Sequence, residues 1–220
     1  MKTLVLSFLF ALSSLAQEPL RVVVMDTGLN LNDSRFLPIL CKTGHRDFTD
    51  TGINDHEGHG THIAGIIKKV AGSSGYCLII VKFYESSKNQ HYMEAFKYAV
   101  SLNPDVINIS GGGTERFESE EILIRFHTNI KFIVAAGNNG QNNEKEPYYP
   151  GAYEYLNVET VGNVDETGNI VRSSNYGPTV KTWRNGVDVV STLPYGYGRM
   201  TGTSQATALR TGEYIRERIK

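Results

Sequence analysis

Four short, uninterrupted apolar runs constrain this chain more than any other feature: Arg21 to Asp26, Cys77 to Tyr84, Val106 to Ser110 and Lys131 to Ala136. A strand with one face in water alternates apolar and polar residues, whereas these runs show no such alternation. They therefore read as strands buried on both faces, as in a parallel sheet covered by helices. The stretches between them have helical spacing. Tyr92, Phe96, Ala99 and Val100 fall at i, i+4, i+7 and i+8, and Ile122, Ile124 and Phe126 sit in a second, mixed stretch. Strand and helix alternate, which predicts an α/β fold of three layers, with a mostly parallel central sheet and helices on both faces. Further strands are expected near Leu156 to Val164 and Val187 to Leu193. A last helix from Ser204 carries Ala208, Gly212, Ile215 and Ile219 on one stripe.

In such a sheet the ligand site lies beyond the carboxyl ends of the strands, so the polar residues just after each apolar run are the ones to inspect. Asp26-Thr27-Gly28 follows the first run, Ser110-Gly111-Gly112-Gly113 the third and Gly137-Asn138-Asn139-Gly140 the fourth. Gly58-His59-Gly60-Thr61-His62 opens the segment toward Val70, and Gly202-Thr203-Ser204 opens the last helix. An acid, an imidazole and a hydroxyl at one edge are the parts of a nucleophilic relay. Serine is a weak nucleophile at neutral pH and needs an adjacent base, and that base needs a carboxylate to fix its tautomer. Asp26, His59 and Ser204 fit these roles. Taken singly, a strand-end Asp reads as a turn residue and a Ser before a helix as an N-cap.

Together the motifs resemble the subtilisin-like serine peptidases in content and order. Val24 to Gly28 is similar to the family's aspartate motif, His59 to Gly65 to its histidine motif and Gly202 to Thr207 to its serine motif. Ile109 to Gly113, Ala135 to Asn138 and Tyr149-Pro150-Gly151 resemble further signposts. The resemblance implies a serine endopeptidase that forms an acyl-enzyme on Ser204, with His59 as base and acid and Asp26 as its orienter. It implies Asn138 as an oxyanion donor, and Ser110, Gly111, Gly112, Gly113, Ala136 and Gly137 as the substrate-binding strand edge and pocket wall. His62 would be structural. No cofactor is implied, and the partners would be protein or peptide substrates met by a monomer. A catalytically weak or inactive member that binds peptides is the alternative.

Several positions depart from the family pattern. Only Gln17 to Leu20 separate the N-terminal segment from the first strand, so the chain reads as a short form without an evident propeptide. The segment Val70 to Tyr76, where a calcium loop is common, is short and has no carboxylate, so no metal is expected there. Ala208 stands where a proline usually follows the serine motif.

Residues 1–16 begin with Lys2, continue through an apolar stretch from Leu4 to Leu12 and end in Ser14-Leu15-Ala16. This is the pattern of a signal peptide, which leaves residues 17–220 as a single peptidase domain, secreted or periplasmic. No stable membrane association is expected after cleavage. In an oxidising compartment the two cysteines, Cys41 and Cys77, read as one disulfide, the alternative being two buried thiols. The formal charge of -1 gives no electrostatic reason to expect a nucleic acid partner. Three other chemistries fit less well. His56, Glu57 and His59 are one residue too tight for the zinc spacing His-Glu-x-x-His. The Gly-x-Ser-x-Gly elbow of α/β-hydrolases has Ala206 in place of its second glycine. No Gly-x-Gly-x-x-Gly for a dinucleotide follows the first strand.

Overall fold

The computed structural model describes residues 18–86 and 91–219. The expected signal peptide, residues 1–16, lies outside the described residues. In chain order the elements are β1 (Leu20–Asp26), β2 (Arg46–Asp47), α1 (His59–Ala71), β3 (Tyr76–Lys82), α2 (Tyr92–Ser101), β4 (Val106–Ile109), α3 (Glu118–Phe126), β5 (Lys131–Ala135), β6 (Val158–Val164), β7 (Val180–Asn185), β8 (Val189–Thr192), β9 (Tyr197–Met200) and α4 (Thr203–Arg218).

Seven strands form one sheet in the order β2-β3-β1-β4-β5-β6-β7, every neighbouring pair parallel. The expected three-layer arrangement is present, and each strand's side chains divide between two cores with period 2. Val22 and Val24 of β1, with Leu78 and Ile80 of β3, face one core together with Ile63, Ile67 and Ile215 of α1 and α4. Val23, Met25, Ile79 and Val81 face the other, together with Phe96 and Val100 of α2 and Ile124 of α3. Both faces are dry, which is why these runs carry no alternation.

Several expectations need correction. The second, mixed stretch is the helix α3, in which Ile124 is buried while Ile122 and Phe126 are exposed. The polar Glu120 is buried in their place. Val187 to Leu193 does not join the sheet; β8 pairs antiparallel with β9 as a separate hairpin. The sheet's outer strand is instead β7, whose charged residues Lys181 and Arg184 gave no apolar run to read. The segment after Cys77 stops pairing at Lys82, and Phe83 and Tyr84 lie beyond the strand.

Cys41 and Cys77 form a disulfide, with Cα atoms 4.9 Å apart and a sequence separation of 36. It ties the loop before β2 to the start of β3. By loop entropy such a link contributes about 3 to 4 kcal/mol.

The strand order places the topological switch at β1 and β4, since the chain moves from β1 to β3 on one side and then to β4 on the other. Asp26 ends β1 and Ser110 follows β4, so both stand over the crevice at this switch, where α/β sheets bind ligands.

Candidate active site

The site is built where the N-terminus of α1 meets the end of β1. The first N–H groups of a helix have no partner within it and must be satisfied from outside. Here the Thr27 hydroxyl accepts from Gly60 N–H at 2.8 Å, and Asp55 Oδ2 accepts from Thr61 N–H at 2.8 Å. Asp55 binds the assembly together. Its Oδ1 accepts from the Thr27 hydroxyl at 2.9 Å, from Gly58 N–H at 2.7 Å and from Glu57 N–H at 3.0 Å. Its Oδ2 also accepts from the Thr61 hydroxyl at 2.6 Å. The helix presses so close to the β1 turn that a Cβ on Gly60 would lie 2.4 Å from the Gly28 carbonyl oxygen, hence a glycine.

This packing sets His59, the first residue of α1, against Asp26. His59 Nδ1 lies 2.7 Å from Asp26 Oδ1. A carboxylate accepts only, so Nδ1 carries the proton and Nε2 keeps its lone pair. Asp26 is buried and also accepts from Thr27 N–H at 2.8 Å, while about a third of the His59 side chain is open to solvent. Burial opposes the charged imidazolium, but the Asp26 charge and hydrogen bond, with Asp55 and Glu57 beyond, outweigh it and raise the His59 pKa above its ordinary value. The adjoining cavity, about 310 Å3, is lined by His59, Asp26, Ser110 and Gly112 among others.

Ser204 is the second residue of α4 and is buried. Its hydroxyl donates to the Ser110 carbonyl oxygen at 2.6 Å, and the Ser110 hydroxyl donates to the Ser204 carbonyl oxygen at 3.1 Å. Serine and imidazole therefore share one edge, yet the Ser204 proton is directed at the end of β4. Asn138 lies exposed on the loop after β5, and its Oδ1 accepts from Thr203 N–H at 2.9 Å and from the Thr203 hydroxyl at 3.0 Å. That leaves the Asn138 Nδ2 group as the outward donor. Gly202 precedes the helix and supplies no side-chain cap, so the Ser204 N–H remains a second donor at the positive end of α4.

The glycine segment behaves unevenly. Gly113 exchanges two backbone hydrogen bonds with Tyr149, at 3.0 and 2.7 Å. A Cβ on Gly112 would meet the Tyr149 carbonyl oxygen at 2.2 Å, whereas Gly111 and Gly113 have open space. Only Gly112 is sterically required. Ala136 is buried and its carbonyl oxygen accepts from Asn143 Nδ2 at 2.9 Å, so it supports the strand end and offers no free carbonyl for pairing. Gly137 turns the chain with φ +102°.

The three histidines of the central cluster point in different directions. His59 faces Asp26, His56 faces Glu85, and His62 Nε2 lies 3.0 Å from the Val189 carbonyl oxygen. They do not share a metal geometry. His62 is fully buried, and burial lowers its pKa, so it stays neutral as a structural donor to the β8–β9 hairpin.

Three positions escaped the sequence. Asp55 sits in a polar run that reads as an ordinary loop. Asn175 accepts from Asn139 and Gln141 N–H groups at 2.9 and 3.1 Å and so holds the loop that carries Asn138. Nothing near Asn175 in sequence signals that contact. Lys82 is fully buried, its ammonium 2.7 Å from the Asn54 carbonyl oxygen and 2.8 Å from Glu85 Oε2. Asn108 had a visible signal: it is the one amide in an apolar strand, and it bridges Ser110 to Thr211 of α4 at 3.0 and 2.8 Å.

Comparison with known proteins identifies the relatives of this arrangement. The profile of the subtilase family matches residues 19–213. The major intracellular serine protease of Bacillus subtilis (strain 168) is 31% identical over 209 residues, covering 85% of this chain and 64% of that protein. A thermostable alkaline protease of Halalkalibacterium halodurans is 30% identical over 202 residues, covering 85% and 53%. The chain thus spans about half to two thirds of the length of these relatives. The crystal structure of a cold adapted subtilisin-like serine proteinase superposes with a TM-score of 0.75 at 25% identity, over 90% of this chain and 76% of that one.

Proposed function

The chain belongs to the subtilase family, and from that premise we propose that it is a serine endopeptidase working through Asp26, His59 and Ser204. The observation that carries this reading is the Asp26–His59 pair at 2.7 Å, held at the same sheet edge as Ser204 and Asn138. In the proposed reaction, Ser204 Oγ attacks the scissile carbonyl carbon and its proton passes to His59 Nε2. The negative charge that develops on the carbonyl oxygen is met by the Ser204 N–H and by Asn138 Nδ2. Collapse breaks the C–N bond, and the leaving amine takes the proton from His59. Water, deprotonated by the same imidazole, then hydrolyses the acyl-enzyme. Asp26 fixes the His59 tautomer and stabilises its cation throughout.

The glycine segment after Ser110 supports an extended peptide laid along the strand edge, and the open space beside Gly111 suits a large apolar residue in the primary pocket. The disulfide supports an oxidising compartment and so an exported enzyme, although relatives include an intracellular protease. Among the described residues no helix is long and apolar enough to cross a membrane.

One observation favours a second reading. The Ser204 hydroxyl is given to the Ser110 carbonyl oxygen and not to His59, and a chain held in that state would bind peptides without cleaving them. A fluorogenic peptide substrate separates the two. Cleavage by the wild type and none by Ser204→Ala supports the peptidase. Saturable peptide binding with no product from either protein supports the binder.

A further inference from the structure

A second cavity of about 330 Å3 continues the cleft beyond the one at His59, sharing Phe83 and Gly112 with it. Its walls include Tyr92, Gly113 and Tyr149, and the acidic residues Glu115 and Glu120. No lysine or arginine lines it among the described residues. Arg116, the nearest cation in sequence, is bonded to Glu121. Glu115 is exposed at the rim, while Glu120, in the first turn of α3, is 1% exposed and lies deepest. The Tyr92 hydroxyl donates to Glu120 Oε1, but Oε2 is buried without a hydrogen-bond partner among the described residues, the nearby Tyr153 hydroxyl being given to the Phe117 carbonyl oxygen at 3.1 Å. Burying a carboxyl oxygen with no donor is costly, and a fold retains such a group where something else supplies the donor.

The cavity stands at the far end of the strand edge from Ser204. A peptide laid along this edge pairs at Gly111 and Gly112, since Gly113 gives both its backbone groups to Tyr149, and it is extended, with side chains alternating about every 3.3 Å. The cavity at Gly112 and Gly113 therefore faces a side chain two or three residues from the bond at Ser204. Such a side chain needs a long apolar stem to pass Phe83 and Tyr149 and a cationic head to meet the carboxyl, which describes lysine and arginine. We propose that this cavity selects a substrate lysine or arginine two or three residues from the cleaved bond, with Glu120 as the counter-charge and Glu115 attracting it at the rim. The proposal rests on the peptidase reading above and narrows its substrate class to basic peptides.

Burial pushes the Glu120 carboxyl up to about 7, against the lowering effect of the Tyr92 and Tyr153 hydroxyls. Those two tyrosines are the titratable groups facing it, from α2 and from the loop before β6, and both are held above their ordinary values and stay neutral. Ionisation of Glu120 should thus make the selectivity rise with pH through about 7.

The test is kcat/KM for peptides carrying Lys, Arg, Leu or Glu at each of four positions on either side of one cleaved bond. The wild type should prefer Lys or Arg over Leu by about 10- to 100-fold at one such position, as a charge-assisted hydrogen bond implies. That ratio should grow between pH 6 and 8. In Glu120→Gln, which retains an acceptor for Tyr92, the ratio should fall to within about threefold and lose its pH dependence; in Glu120→Leu it should reverse. Equal rates for Lys and Leu everywhere, or a basic preference that survives Glu120→Gln, would overturn the proposal. Titrating the same samples with a fluorophosphonate keeps the two claims apart. Labelled enzyme without a basic preference refutes the specificity alone, whereas unlabelled protein that cleaves nothing refutes the peptidase reading and the specificity with it.

Discussion

Replacing Asp55 by alanine should damage both the fold and the site, because this carboxylate joins the turn after β1 to the start of α1. It accepts five hydrogen bonds, from Gly58, Glu57 and Thr61 N–H groups and from the Thr27 and Thr61 hydroxyls. In Asp55→Ala the exposed Glu57 N–H can turn to water and the hydroxyls can reorient. The buried N–H groups of Gly58 and Thr61 cannot, and each costs about 1 to 3 kcal/mol when left unpaired. Allowing for some relaxation, the loss should be about 2 to 5 kcal/mol. For a domain of this size about 2 to 4 °C accompanies each kcal/mol, so the melting temperature should fall by roughly 4 to 20 °C. The start of α1 would then be held to Thr27 only by the Gly60 N–H bond, and His59 would be less firmly set opposite Asp26. Urea unfolding gives the first quantity, and kcat/KM at a temperature where the variant remains folded gives the second, expected to drop at least about tenfold. Asp55→Asn, which keeps one acceptor oxygen, should fall between wild type and alanine on both scales. A loss below about 1 kcal/mol with kcat/KM intact would show that Asp55 does not assemble the site.

Other expectations follow from the same geometry. Asn138→Ala should lower kcat by about 10² to 10³ with a smaller change in KM, the effect known for an oxyanion-hole donor in subtilisin itself, and an unchanged kcat would remove Asn138 from the reaction. The His59 pKa is raised, and the base must be neutral to act, so kcat/KM should rise with pH along a limb centred above the ordinary histidine value of 6.5. A limb below that value would contradict the influence of Asp26. The same shift adds stability that is fully present below 6.5 and is lost as pH rises through the folded-state pKa, which unfolding at a series of pH values would detect. Removing the disulfide in a Cys41→Ser, Cys77→Ser double variant should cost about 3 to 4 kcal/mol by the loop-entropy argument, measured by urea unfolding against the oxidised wild type. No measurable cost would mean that the crosslink does not limit the unfolded chain.

The parts of this fold most legible in the sequence are those buried on both sides. Val22 to Met25 and Leu78 to Val81 admit no polar residue on either face, so their apolar runs could be read directly. The strand β7 could not, because it lies at the sheet edge with Lys181 exposed, and an edge strand carries no such run. The β8–β9 hairpin was misread for the opposite reason: Val187 to Leu193 has strand composition, but nothing local says that its partner is β9 rather than the sheet. At the site, Asp26, His59 and Ser204 were visible because each lies at an element end on the carboxyl edge, whereas Asn138 was visible only through the resemblance of its loop to a family motif. The residues that hold them were not. Asn175 acts on the Asn139 and Gln141 N–H groups, which only folding brings near it, Asp55 reaches the first motif only through the distant Thr27 hydroxyl, and Glu120 is buried only because α3 packs it beneath Tyr92.

The central claim is that Ser204 becomes a nucleophile through His59 although its hydroxyl rests on the Ser110 carbonyl. Intact-mass analysis of the folded protein before and after a fluorophosphonate, with Ser204→Ala and His59→Ala in parallel, tests it most directly. The account predicts one stoichiometric adduct on the wild type, none on Ser204→Ala and strongly slowed labelling of His59→Ala. A folded wild type that takes no label, or a Ser204→Ala variant that labels as readily, would contradict it.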